Sequence, residues 1–118
     1  MKYLCLIYEN EQAWAAAPRS DSDVMSADYA AFTDGYTKSG HVLGGNALQP
    51  THTATTIRVR DGKISTTDGP FAETREQLGG YYLLEAKDLN EAIQIAAKIP
   101  SARSGSIEVR PIREFARG

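Results

Sequence analysis

Two segments of this chain are apolar on both sides when they are laid out as strands. In 2–8, Tyr3, Cys5 and Ile7 fall on one side and Leu4, Leu6 and Tyr8 on the other. In 80–86, Tyr82 and Leu84 oppose Tyr81 and Leu83. A strand with one wet face alternates apolar and polar residues. These do not, so both belong in the middle of a sheet that is covered on its two faces.

The remaining segments arrange themselves around that pair. Glu11 to Ala17 reads as a short helix around Trp14, stopped by Pro18. Asp23 to Ser39 reads as a long helix whose stripe is Met25, Tyr29, Phe32 and Tyr36, with Asp21 or Ser22 as its cap and Gly40 at its end. His41 to Leu48 reads as a strand that Gly44 and Gly45 push to an edge. Thr53 to Arg60 and Lys63 to Thr67 flank Asp61-Gly62, a strong hairpin-turn signal. Asp88 opens a second long helix with Leu89, Ala92, Ile93, Ala96 and Ile99 as its expected buried stripe and Pro100 as its stop. Ser106 to Ile112 is the last strand, and Pro111 marks it as an edge. The order is two βαβ halves with a hairpin inserted between them, the ferredoxin-like (βαββαβ) α+β plan. That plan places its first and third main strands at the centre, where the doubly apolar segments need to be.

Two helices cover one face of a four-stranded sheet. The other face then carries Leu and Tyr side chains that a monomer does not leave in water. The expected assembly is a homodimer with two sheets packed face to face, a dimeric α+β barrel. Its aromatic walls would form a small-molecule cavity, with Tyr8 and Tyr82 as candidate ligand contacts.

The chain has 118 residues, which fits one domain with a real core. A formal net charge of −2 excludes the basic footprint of a nucleic-acid binder. The basic tail of Arg110, Arg113 and Arg117 is diluted by Glu108 and Glu114. Cys5 is the sole cysteine, so no intrachain disulfide forms, and its apolar setting marks it as a small buried hydrophobe. The N-terminal apolar run is broken by Glu9, too early for a membrane span or a signal peptide. A cytoplasmic protein with no membrane partner is expected.

The run Thr67-Asp68-Gly69-Pro70-Phe71-Ala72-Glu73-Thr74 is a shaped loop, since neither helix nor strand passes through Asp-Gly-Pro. Asp68 and Glu73 are the candidate catalytic carboxylates, as an acid/base pair or as cation ligands. Structurally, Asp68 could instead close the turn and Phe71 could plug the core. His52 is the third catalytic candidate, placed to face this loop across the hairpin. His41 and His52 are eleven residues apart, which is no zinc pattern, and no metal is expected. Arg58, with Arg60 beside it, could grip a carboxylate or phosphate or could pair with Glu73 or Glu76. Phe71 joins Arg58 among the ligand-contact candidates. Neither a Gly-rich phosphate loop after the first strand nor a Gly-x-Ser-x-Gly elbow is present, and no cofactor is expected.

The segments Ala54–Lys63, Thr67–Thr74 and Glu76–Tyr82, with the ending Ile107–Ile112, resemble the bacterial DGPF-domain proteins, a branch of the YCII-related domain family. The resemblance covers nearly the whole chain. It implies a dimeric ferredoxin-like α+β barrel of unestablished activity. It also implies a regulatory link, because some such proteins are encoded near extracytoplasmic-function sigma factors. The wider family has a proposed His–Asp dyad. Its histidine position falls here on Tyr29, counted back from Gly40, and its aspartate position on Ile99, before Pro100. A phenol with an ordinary pKa of about 10 does not replace imidazole as a base near neutrality. That dyad is not carried over.

Three functions follow. The first is a small-molecule-binding barrel, which asks least of the residues present. The second is an enzyme of isomerase or lyase type acting on a small organic acid through Asp68, Glu73, His52 and Arg58. The third is an interaction partner of a sigma factor.

Overall fold

The computed structural model describes residues 1–115; Arg117 of the basic tail lies outside them. Strand β1 (Lys2–Glu9) leads through helix α1 (Glu11–Ala16) and helix α2 (Arg19–Lys38) to β2 (Val42–Ala47). The inserted hairpin is β3 (Thr55–Arg60) and β4 (Lys63–Asp68), and β5 (Gln77–Glu85), α3 (Leu89–Ala96) and β6 (Ser106–Pro111) complete the chain. The four-stranded sheet has the order β2-β5-β1-β6 with every pair antiparallel. This is the ferredoxin-like α+β fold, with β1 and β5 central as their two-sided apolar patterns require.

The core lies between this sheet and the helices. Tyr3, Cys5, Tyr82, Leu84 and Ile99 are buried there with Phe32 of α2 and Ala92, Ile95 and Ala96 of α3. Phe32 packs against the rings of Tyr36 and Tyr82 with centroids 4.9 and 5.2 Å apart. On the opposite face, Leu4 pairs with Leu83, Leu6 with Tyr81 and Tyr8 with Leu78, and all six are half-buried. Among the described residues, no helix is packed over them.

Three boundaries differ from the sequence reading by more than two residues. Helix α2 starts at Arg19, with Pro18 as its cap residue and no side-chain cap from Asp21 or Ser22. Proline has no amide proton to leave unpaired, so one residue ends α1 and starts α2, and Asp21 then sits in the first turn of the helix dipole. The buried stripe of α3 is Ala92, Ile95, Ala96 and Ile99, while Leu89 and Ile93 are half-exposed. The helix ends at Ala96, so Ile99 reaches the core from the following turn rather than from a continuous helical row. Strand β5 begins at Gln77 instead of Gly80, because a bulge between Ile7 and Tyr8 extends its pairing with β1.

The hairpin turn is as expected. Asp61 and Gly62 both have positive φ, 52° and 73°, as a two-residue type I′ turn demands. Strands β3 and β4 form their own two-stranded sheet, separate from the main one. The chain is a slab of 52 × 47 × 19 Å, one sheet plus one helix layer thick.

Candidate functional site

A cavity of about 650 Å³ opens between α1, the middle of α2 and the helix-covered side of the sheet. Its origin lies in the sheet sequence. Gly45 pairs with Tyr82, Ala47 pairs with Gly80, and Ile7 also pairs with Gly80. The sheet is thus nearly bare of side chains where the helices pass over it. Neither glycine accepts a side chain: a Cβ at Gly80 would meet the Asn46 carbonyl oxygen at 2.9 Å. A Cβ at Gly45 would meet the Tyr81 carbonyl oxygen at 2.5 Å and the Tyr82 ring at 2.8 Å. The sequence reading took Gly44 and Gly45 as marks of an edge strand or bulge, and β2 is both at the edge and bulged between Val42 and Gly44; Gly45 also lets two strands approach and leaves room above them.

Aromatic and aliphatic side chains wall the space: Trp14, Met25, Tyr29, Leu48 and Tyr82. Two hydroxyl pairs face it. Tyr29 Oη bonds Ser101 Oγ, joining α2 to the turn at Pro100–Arg103. Thr33 Oγ1 and Tyr82 Oη lie 2.6 Å apart. The rings of Tyr29 and Tyr82 are stacked with centroids 6.4 Å apart. Each pair consumes one hydroxyl proton internally and keeps the other for a guest. Burial pushes the Tyr29 pKa above its ordinary value; the hydrogen bonds with Ser101 oppose this, and Tyr82 and Glu9 add to it. Tyr29 is therefore a neutral hydrogen-bonding group around neutral pH and not a base.

The carboxylates at the rim are engaged. Glu9 accepts from Trp14 Nε1 at 2.6 Å and from Ser104 Oγ at 2.7 Å. Glu11 accepts from the Thr51 amide at 2.9 Å and the Thr51 hydroxyl at 2.7 Å, and so pins the entry of the hairpin to α1. Among the described residues, no Lys, Arg or His side chain is part of the lining.

The sequence candidates are scattered relative to this cavity. Tyr82 lines it. Tyr8 lies on the opposite sheet face, between Leu78 and Ser106. Asp68, Glu73 and His52 are exposed and outside the lining. Arg58 and Phe71 are brought together, with the guanidinium 5.9 Å from the ring centroid. Phe71 does not plug the core, being 82% exposed. Gly69 has the φ of +104° that the Asp-Gly-Pro sequence foretold, and its amide donates to the Ala54 carbonyl at 2.7 Å to close the hairpin base. Cys5 is fully buried, and burial raises its thiol from 9.0 to about 11, which suits a core residue. Among the described residues, no three His, Cys, Asp or Glu side chains group as metal ligands, and no helix is long and apolar enough to cross a membrane.

Sequence reasoning missed Ser101 and the location of the cavity. Ser101 follows Pro100 by one residue and sits 72 positions from its partner Tyr29, so only the packed fold joins them. The signal that could have located the cavity was the pair of Gly-Gly steps, 44–45 and 79–80.

A ferredoxin-like α+β domain with an apolar, hydroxyl-bearing cavity under its helices defines the class. Within that class the chain belongs to the YCII-related domain family, whose profile matches residues 1–116. It is similar to "Uncharacterized protein R00369" of Rhizobium meliloti (strain 1021), at 35% identity over all of this chain and 97% of that protein.

Proposed function

We propose that this chain is a binding protein for a small, uncharged, largely apolar molecule carrying a hydroxyl or carbonyl group. The cavity carries the reading: its volume falls in the range of small-molecule sites, and its polar groups are few and convergent. Among the described residues the lining holds two carboxylates and no cation, which opposes a carboxylate or phosphate guest. Two neutral hydroxyl pairs favour a neutral one. Binding rather than turnover is favoured because the raised pKa of Tyr29 leaves it without the base role that acid/base chemistry needs. Tyr82, Tyr29, Thr33 and Ser101 are the proposed ligand contacts. We assign the chain to the DGPF branch on Asp68-Gly69-Pro70-Phe71, and we assign that loop to the hairpin rather than to catalysis.

The test is thermal denaturation against a panel of small alcohols, ketones, amides and carboxylic acids. A neutral member raises Tm in proportion to the logarithm of its concentration, as mass action requires. Ala47→Phe, which fills the cavity floor, abolishes that rise. Stabilisation by carboxylates alone, or an equal rise in Ala47→Phe, overturns the proposal.

The bare face bearing Leu4, Leu6, Tyr8, Leu78, Tyr81 and Leu83 supports a homodimer through that face, since a patch of this kind is uncommon on a monomer.

A further inference from the structure

The hairpin is the part of the molecule that its own body does not explain. Strands β3 and β4 pair only with each other. One side of the ribbon is apolar and bare: Ile57 is 63% exposed, Val59 is 56% and Ile64 is 75%. Val59 and Ile64 sit opposite each other in the ladder. The other side carries Arg58, Arg60 and Lys63. An isolated two-stranded ribbon is marginally stable in water, and a ribbon with a greasy side has reason to be covered.

Its root, by contrast, is fixed. Glu11 holds Thr51 on the entry side, and the Ser106 hydroxyl donates to Glu76 at 2.7 Å on the exit side. The ribbon projects from this root as a held arm.

The area shows how large a cover is needed. A compact monomer of this mass exposes about 6,300 Å², whereas this protomer exposes 8451 Å². Its radius of gyration is 16.4 Å, against about 13.5 Å for a compact chain of this length. The excess area is about 2,000 Å², well above the ~800 Å² that each partner gives to an ordinary interface. Four strands of this length present a face on the order of 400–600 Å². The sheet face alone is smaller than the excess, and the arm, exposed at every strand residue but Thr56, adds to it.

We infer that the β3–β4 arm clasps a second copy of this chain, laying Ile57, Val59 and Ile64 on the partner body. This rests on the homodimer proposed above and adds a second contact to it. A second copy suits the surface better than a nucleic acid does. Asp61 and Asp68 dilute the arm's positive charge, and its widest surface is apolar.

Sedimentation equilibrium of the full chain through a dilution series tests this, comparing wild type with Ile57→Lys/Ile64→Lys and, separately, Leu6→Glu. The arm variant is expected to raise the dimer Kd at least about tenfold, with the circular dichroism spectrum unchanged. A benzophenone placed on Ile64→Cys, where the only native thiol is buried, is expected to give covalent dimer on irradiation. An unchanged Kd in the arm variant, crosslinks confined to one protomer, or capture of duplex DNA in preference to a second chain each overturns the inference. Loss of the dimer in Leu6→Glu but not in the arm variant leaves the sheet-face pairing standing and removes the arm. The opposite pattern keeps the arm and removes the sheet-face pairing.

Discussion

The chain builds two antiparallel sheets with comparable ladders and very different settings. In the four-stranded sheet, Tyr3, Cys5 and Ile7 of β1 and Tyr82 and Leu84 of β5 are buried on the helix side. In the β3–β4 ribbon, one residue, Thr56, is half-buried and every other is exposed. Both follow their local sequence faithfully, and the turn at Asp61-Gly62 is as regular as any element of the body. Pairing is therefore not what separates them. Hydrogen bonds in a ladder replace bonds to water at small net gain. The body is held by the apolar area its helices hide, and the ribbon has no such layer of its own.

That contrast predicts opposite outcomes for equal truncations. Leu84 is fully buried in the body, and Leu84→Ala should cost about 3 kcal/mol in denaturant unfolding, as removal of a core side chain does. Ile64→Ala on the ribbon should cost less than about 0.5 kcal/mol when the protein is dilute enough to be a protomer. Equal losses would mean that the ribbon is packed on its own body in solution, and the contrast would collapse.

A pH series sharpens the same distinction. The Cys5 thiol lies at the centre of the body, and burial raises its pKa from 9.0 to about 11. The folded state therefore holds this proton more tightly than the unfolded chain does. The stability from that difference is complete below pH 9 and drains away as pH climbs towards 11. The full change is at most about 3 kcal/mol. Cys5→Ala should flatten the fall between pH 9 and 11 relative to wild type, read by urea midpoints at several pH values. An equally steep fall in the variant would remove Cys5 as its source, leaving Tyr29, whose pKa burial also raises, as the next group to test.

Much of the architecture was readable because its signals are short in range. Two-sided apolar strands gave the sheet centre, Pro111 and Gly44-Gly45 gave its edges, and Asp61-Gly62 gave the hairpin. Helix boundaries were less legible. Pro18 can serve both as a stop and as a start, and Leu89 and Ile93 fit a helical stripe as well as Ile95 does. The site was least legible. Its floor depends on Gly45, Ala47 and Gly80 facing the same side, which the strand register and the Ile7/Tyr8 bulge decide. Its hydroxyl pairs come from residues distant in the chain. The conspicuous loop at Asp68 drew attention to the hairpin, while the cavity formed where side chains are missing.

The cavity pair Tyr29–Ser101 gives the finest test, because it ties α2 to the turn before β6 through one contact between hydroxyls. Ser101 is buried, so Tyr29→Phe leaves its hydroxyl without this partner and should cost about 1–2 kcal/mol. Ser101→Ala strands the Tyr29 hydroxyl in a less buried place and should cost somewhat less. The double variant removes both polar groups, so its loss should fall clearly below the sum of the two singles, a coupling that a double-mutant cycle measures directly. The ribbon offers no equivalent, since its polar side chains are exposed and water replaces any partner they lose. Strict additivity at Tyr29 and Ser101 would show that water reaches the pair freely. The cavity's hydroxyls would then be as well hydrated as the ribbon's side chains, and a neutral guest would gain little by replacing that water.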